Sequence, residues 1–327
     1  MSPTEILATN LLSPVVLAFG LGVLATLLKS DLEFPEPLYQ ALSIYLLLAI
    51  GLKGGAALSV TPLGEFLVPA GMTILLGLVT PLTAFAFLKA VLRMDRVNAG
   101  ALAAHYGSVS AVTFLAAVTF GEATGVTSEG FMPALVALLE VPAIVVGLLL
   151  ARGAHARPGE GEGSGSWAAA LHEVVTGKSI FLLVGGVALG WAAGKERMAP
   201  VDPFFVAGFQ GALTLFLLEM GLVASRRLRD LREAGILLVA FGTFVPLVHG
   251  VLGVWAGSLA GLSTGGSAVL GTMVASASYI AAPAAVRIAL PEAKPSLYLT
   301  ASLGITFPFN LVLGIPVYFA LARIMGG

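Results

Sequence analysis

This sequence is short of charge and has no cysteine at all. Only 11% of its 327 residues are Asp, Glu, Lys or Arg, against roughly 25% in soluble domains. A soluble chain of this length must clothe its surface in water-compatible groups, and these residues cannot supply them. The missing cysteine excludes disulfides, Cys-ligated zinc and thiol catalysis, and leaves the redox compartment open. A formal net charge of −1 gives nucleic acid no electrostatic foothold, so none is expected as a partner. No GxxxxGK[ST] loop is found, hence no self-contained ATP drive. HExxH, a nucleophile elbow and an acid pair at catalytic spacing are missing too, which disfavours an enzyme. No organic cofactor is expected. The opening MSPTEILATNLLSPVV lacks a basic n-region and reads as the start of a membrane helix, not as a cleaved signal peptide.

What the chain does have is apolar length. Hydrophobic residues make up 57% and the mean hydropathy is +0.97, so the fold class expected is an all-α polytopic membrane protein. Stretches near the roughly 20 residues that cross a bilayer fall at 11–28, 38–57, 67–88, 98–120, 131–150, 178–194, 203–224, 234–259, 267–288 and 297–322. The fourth and ninth are the least hydropathic and are rich in Gly, Ser and Ala. Between the fifth and sixth lies ARGAHARPGEGEGSGSW, a composition that makes residues 151–172 a solvated linker. Thirteen of the 17 Lys and Arg fall on the side reached after an odd number of spans. The positive-inside rule then places the linker in the cytoplasm and both termini outside.

The chain also repeats itself. LLLAIGLKGGAAL (Leu46–Leu58) resembles LFLLEMGLVASRRL (Leu215–Leu228), with Gly51 matching Gly221. YGSVSAVTFLAAV (Tyr106–Val118) resembles VASASYIAAPAAV (Val274–Val286), with Ser108 matching Ser276 and Ser110 matching Ser278. Pro142 in LLEVPA matches Pro308 in GITFPF. The three matches occur in order at nearly constant offset, which indicates a duplication of residues 1–150 in residues 173–327. Five spans per half is an odd number, so the second copy enters the membrane from the opposite face. Inverted repeats of this kind are typical of secondary transporters, whose sites lie near the midplane between the repeats.

The two Ser-rich segments are where a site is expected. Irregular backbone at membrane depth is tolerated only inside protein or beside a cavity, and both segments are expected to break their helices. Ser276 stands 11 residues from Arg287, about 16 Å of helix. An interfacial Arg287 therefore puts Ser276–Tyr279 near the bilayer centre. Half-helix N-termini there offer free N–H groups and roughly half a positive charge, which suits a small anion, while freed carbonyls suit sodium. The opposing reading is that small residues serve close helix packing; two matched segments in an inverted repeat favour the site. Glu140 lies mid-span, where a carboxylate is costly unless paired or hydrated. Its repeat partner Thr306 is followed one turn later by Asn310. With Thr113, these residues are the candidate sodium ligands, and Glu140 is also a candidate proton carrier. Glu219 is a second intramembrane acid with a functional and a pairing reading in balance. Lys53 is read as snorkelling, and His105 and His249 as packed, hydrogen-bonded histidines rather than proton relays.

At these residues the chain resembles a known family. GLKGG (Gly51–Gly55), GSVSAVTF (Gly107–Phe114), LEVPAIV (Leu139–Val145), PLVHG (Pro246–Gly250) and SASYIAAPAAVRIALPEAKPSLYL (Ser276–Leu299) are similar to the sodium-dependent bicarbonate transporters, the SbtA type of cyanobacteria. The resemblance implies sodium-coupled bicarbonate uptake across a bacterial inner membrane by a homotrimer of ten-helix subunits. It implies a scaffold of spans 1, 2, 6 and 7. It also implies a mobile core of spans 3–5 and 8–10 that carries substrate at the crossing of discontinuous spans 4 and 9 by an elevator-like shift. Carried over by position, Gly107, Ser108, Ser110, Ser276, Ser278 and Tyr279 fall on the substrate segments. The chain departs from the family pattern at Tyr279 and Glu140, where the relatives carry Asp. Its linker is also much shorter, which leaves a PII-like regulatory partner without support here. The alternatives within transport are another small anion such as a monocarboxylate, or proton coupling through Glu140; a passive channel is the alternative of a different class.

Overall fold

The computed structural model describes residues 3–152, 172, 175–227 and 231–326. Most of the expected 151–172 linker lies outside these. The described elements, in order, are α1 (Pro3–Leu11), α2 (Pro14–Leu27), α3 (Glu36–Leu58), α4 (Leu63–Ala90), α5 (Arg96–Gly107), α6 (Ala111–Ala123) and α7 (Met132–Arg152). They continue with α8 (Lys178–Met198), α9 (Pro203–Arg227), α10 (Leu231–Leu259), α11 (Thr264–Val274), α12 (Ala281–Ala289) and α13 (Pro295–Met325). No strand occurs among the described residues.

Among the described residues, eight helical stretches, counting α5–α6 as one, are long and apolar enough to cross a membrane. The sequence pattern asks for ten. The two that fall short have separate causes. The first expected span is interrupted where Ser13 caps α2, its hydroxyl accepting from Val16 N–H with Pro14 at the first helical position, and α2 is only 14 residues long. The ninth is divided into α11 and α12, of 11 and 9 residues, by non-helical backbone between them.

Glycine decides how the helices meet. A Cβ built on Gly51 would lie 2.6 Å from the Leu183 carbonyl oxygen and 2.8 Å from Gly186 Cα, so α3 and α8 pack backbone to backbone only because both positions lack side chains. At the crossing of α2 with α9, a Cβ on Gly221 would lie 3.0 Å from Gly22 Cα. Small residues allow this approach, and dispersion between the closely packed backbones holds the pair in lipid. The remaining helices pack among themselves. α4, α5 and α7 are mutually in contact, and α10 and α13 flank α11.

Burial explains the poor hydropathy of the fourth and ninth stretches. Of the most apolar window of α5–α6, 89% is buried inside the protein, against 39% for the more hydropathic windows of α4 and α10; α8, with low hydropathy and only 28% buried, does not follow this pattern. From Asn98 to Gly107 and from Gly265 to Val274 every residue is buried. These segments face protein, so they require small residues for packing and not a greasy surface for lipid.

Two clips hold the outer ends of these segments. Asp95 caps α5, its carboxylate accepting from Asn98 N–H at 2.9 Å and from Asn98 Nδ2 at 2.7 Å. Asn98 Oδ1 in turn accepts from Lys294 N–H at 2.8 Å, just before α13. Burial would push the Asp95 carboxyl upward, but the hydrogen bonds from the side chain and backbone of Asn98 outweigh it and hold it below the ordinary range. At the start of α11, Ser263 caps Gly266 N–H at 3.0 Å, and Glu129, just before α7, accepts from Ser263 N–H at 2.6 Å. α5 is thus tied to the loop before α13, and α11 to the loop before α7.

Candidate functional site

The chain leaves helical geometry at both Ser-rich segments. α5 stops at Gly107 because Ser108 is extended (φ −88°, ψ 174°). Gly107 is confined: a Cβ there would lie 2.7 Å from Pro81 Cδ and 3.0 Å from Ala143 Cβ. α6 restarts with Ser110 as its N-cap, the hydroxyl accepting from Thr113 N–H at 3.2 Å. α11 ends at Val274, and Asn310 Nδ2 satisfies the freed Ala275 carbonyl at 2.8 Å. The Ser278 hydroxyl accepts from Ala282 N–H at 3.2 Å in the first turn of α12.

The two breaks cross and bond to one another. Ser110 N–H donates to Ser276 Oγ at 2.8 Å, and Ser276 Oγ donates to the Met273 carbonyl at 2.7 Å. Ser278 N–H donates to the His105 carbonyl at 2.9 Å. The matched serines would make the counterpart of the Ser110–Ser276 bond run from Ser278 N–H to Ser108 Oγ. It does not form, and the Ser108 hydroxyl is left with no partner in a residue only 1% exposed. A buried hydroxyl without a partner costs about 1–3 kcal/mol. Tyr279 carries a second buried hydroxyl, set beside Ser110 and without a hydrogen bond of normal geometry. The crossing therefore gathers Gly107, Ser108, Ser110, Ser276, Ser278 and Tyr279 and leaves two hydroxyls unsatisfied. It holds no lysine or arginine, and the N-terminus of α6 supplies fixed positive potential instead. Hydroxyls and peptide dipoles of this kind can bind a small anion without a buried cation to offset.

The four candidate cation ligands are all buried. Thr113 sits in the first turn of α6. Thr306 is engaged elsewhere, donating to the Gly242 carbonyl at 2.7 Å and meeting Tyr106 Oη at 2.6 Å. Asn310 bridges Ala275 and Tyr318, whose hydroxyl donates to Asn310 Oδ1 at 3.1 Å. Both lie where α13 widens into π-helical turns, Thr300–Thr306 and Asn310–Gly314. Pro308 and Pro316 withhold the N–H groups that regular α-helix would use there. Glu140 is 5% exposed on α7 and takes part in none of these hydrogen bonds. Among the described residues no three acidic or histidine side chains converge. A monovalent cation here would be held by hydroxyl, amide and carbonyl oxygens with at most one carboxylate.

Two cavities approach the crossing from opposite ends. One of about 720 Å³ lies between α3, α8 and α9 on one wall and α12 and α13 on the other. Arg227 and Arg287 stand along it, with Glu36, Glu219 and Tyr279 also on its walls. The other, about 140 Å³, lies between α3, α6, α7 and α9 beside Lys53, Glu122 and Gln210. Lys53 Nζ sits 5.5 Å from the centre of the Phe209 ring, a cation–π contact. His105 Nδ1 is 2.7 Å from the Ala101 carbonyl and its ring stacks on Tyr298 at 4.4 Å. His249 meets Thr83 at 2.8 Å. Both histidines are packed and hydrogen-bonded. The two clips and the unpaired Ser108 hydroxyl are the features that sequence reasoning missed. Only the D-x-x-N of Asp95–Asn98, a capping signature, signalled any of them.

No curated protein matches this chain significantly. A family model, the Na+-dependent bicarbonate transporter superfamily, matches residues 14–323, which takes in both breaks. The chain belongs to the Na+-dependent bicarbonate transporter superfamily.

Proposed function

We propose that this protein is a secondary transporter that couples sodium to the uptake of a small monovalent anion, most simply bicarbonate, bound where α5–α6 crosses α11–α12. The observation that carries the reading is the Ser108 hydroxyl, buried and unpartnered beside the Ser110–Ser276 bond. It is a donor placed where the repeat leads one to expect a hydrogen bond. An arriving oxyanion would accept it and sit at the positive end of α6. Thr113, Glu140, Thr306 and Asn310 remain the proposed cation ligands.

The wider architecture of the proposal is ten crossings in two inverted halves. Several contacts support it. The α3–α8 and α9–α2 pairs are counterparts under exchange of the halves, each built on a glycine-to-glycine approach. The two clips are counterparts as well. α2, α3, α8 and α9 would form the scaffold. α4–α7 and α10–α13 would form the elevator-like body that carries the site. The unequal cavities support alternating access, the larger one opening at the arginine-rich end. By the positive-inside rule that end is cytoplasmic, so this conformer is inward-facing. The same rule places the 151–172 linker inside and both termini outside a bacterial inner membrane. Assembly as a homotrimer belongs to the same proposal.

Thermal unfolding of purified protein with sodium and bicarbonate, singly and together, tests the site. A ligand that binds only the folded state raises its stability. Stabilisation by the pair beyond the sum of the two alone is expected, and Ser108→Ala is expected to need tenfold or more bicarbonate for the same shift. Stabilisation by bicarbonate that is indifferent to sodium, or that is unchanged in Ser108→Ala, would refute the assignment.

A further inference from the structure

Tyr279 occupies a position unlike any other residue at the crossing. It belongs both to the break, one residue after Ser278, and to the wall of the larger cavity. As a residue it is partly exposed, yet its hydroxyl oxygen is buried and has no hydrogen-bond partner. The ring is braced edge-on against Phe307, with centroids 5.4 Å apart and planes at 68°. The side chain therefore separates the cavity from the crossing and aims its donor inward. Arg287, exposed and eight residues further along, lines the same cavity from within α12. The cavity wall thus carries Arg227, Arg287, Glu36 and Glu219 together with the Tyr279 ring. The matching position in the other half is Ala111, which has no ring to place and no hydroxyl to offer, so this wall exists at one end only.

We propose that Tyr279 is both the gate between the larger cavity and the crossing and a specificity-determining donor for the anion, its ring closing the passage and its hydroxyl completing the substrate's hydrogen bonds. The inference rests on the anion-site reading above and adds two separable roles to it. The ring must turn or shift away from Phe307 for an anion to pass. Once the passage has closed, the hydroxyl donates to an oxygen of the bound oxyanion. Ligands that lack an acceptor oxygen at that point, such as halides of similar size, lose this bond and are disfavoured.

The cysteine-free sequence permits a clean test. Val109 is 2% exposed between Ser108 and Ser110, and Val109→Cys nearly conserves volume. Its modification by a small charged thiol reagent is followed in three backgrounds: Tyr279, Tyr279→Phe and Tyr279→Ala. Slow modification with Tyr and Phe, and fast modification with Ala, is the expected result. Equal rates in all three would overturn the gate. For the donor, sodium-driven uptake of labelled bicarbonate is measured in Tyr279→Phe, which keeps the ring and the fold. A rise in KM of about tenfold with kcat retained is expected from one lost hydrogen bond to a charged partner. An unchanged KM would overturn the donor role. Wild-type protein that takes up no anion would overturn the site reading and the donor with it, while the thiol rates would still decide the gate.

Discussion

Ser276 and Ser108 are matched in the repeat, equally buried and chemically identical, yet removing their hydroxyls should have opposite consequences. The Ser276 hydroxyl accepts from Ser110 N–H at 2.8 Å. In Ser276→Ala that N–H stays buried at the crossing and loses its acceptor. A buried donor left unsatisfied costs about 1–3 kcal/mol, and the lost bond to the Met273 carbonyl adds to this. At roughly 2–4 °C per kcal/mol for larger domains, the melting temperature should fall by several degrees. The Ser108 hydroxyl has no partner to lose. Ser108→Ala removes a desolvated polar group, so the ligand-free protein should be as stable as wild type or slightly more so. Its cost should appear only with the anion: about 1.5–3 kcal/mol for a hydrogen bond to a charged group, a weakening of tenfold or more. Intrinsic fluorescence of the three tryptophans during heating, with and without sodium bicarbonate, reads both effects. If Ser108→Ala destabilises the ligand-free protein as much as Ser276→Ala, or if neither variant alters the response to anion, the division of labour at the crossing is wrong.

Further outcomes follow from the same structure. Gly51→Val should force α3 from α8, because its Cβ would lie 2.6 Å from the Leu183 carbonyl oxygen; overpacking of this kind costs typically about 1–3 kcal/mol. Gly71→Ala on α4, with nothing within 4 Å, should be neutral or gain up to about 1 kcal/mol, and thermal melts of the two variants check the contrast. Asp95→Ala should lose about 1 kcal/mol as a missing helix cap. Because the folded carboxyl is held below its ordinary range, the contribution of ionised Asp95 is present above the unfolded pKa of about 3.9 and is lost as pH falls through the folded value. Melting curves of wild type and Asp95→Ala should therefore converge in strong acid and separate toward neutrality. Glu140→Gln should weaken the cation dependence of transport while leaving anion selectivity intact, as read from uptake against sodium concentration; an unaltered sodium response would remove Glu140 from the cation site.

The parts of this account that could be read in the sequence are those governed by short-range rules. The Ser- and Gly-rich composition of the 98–120 and 267–288 stretches announced that neither would behave as a plain lipid-facing helix, and the helices end at Gly107 and Val274 within them. Gly51 and Gly221, matched in the sequence, both lie against a backbone in the structure, which the match alone did not foretell. What could not be read depends on which distant groups meet. Nothing local distinguishes Ser108, whose hydroxyl is unpaired, from Ser276, whose hydroxyl takes Ser110 N–H. Nothing local says that Thr306 and Asn310 spend their hydrogen bonds on Gly242, Tyr106, Ala275 and Tyr318. Hydropathy also overstated the first span, because it counts apolar residues without registering that Ser13 and Pro14 begin a new helix.

The central claim is that sodium and bicarbonate move together through the crossing of the two broken helices, and labelled bicarbonate uptake into proteoliposomes tests it most directly. With an inward sodium gradient, uptake should be saturable, should collapse when the gradient is abolished, and should be strongly impaired in Ser108→Ala. Uptake indifferent to sodium, uptake driven by a proton gradient instead, or flux that rises linearly with concentration would contradict it.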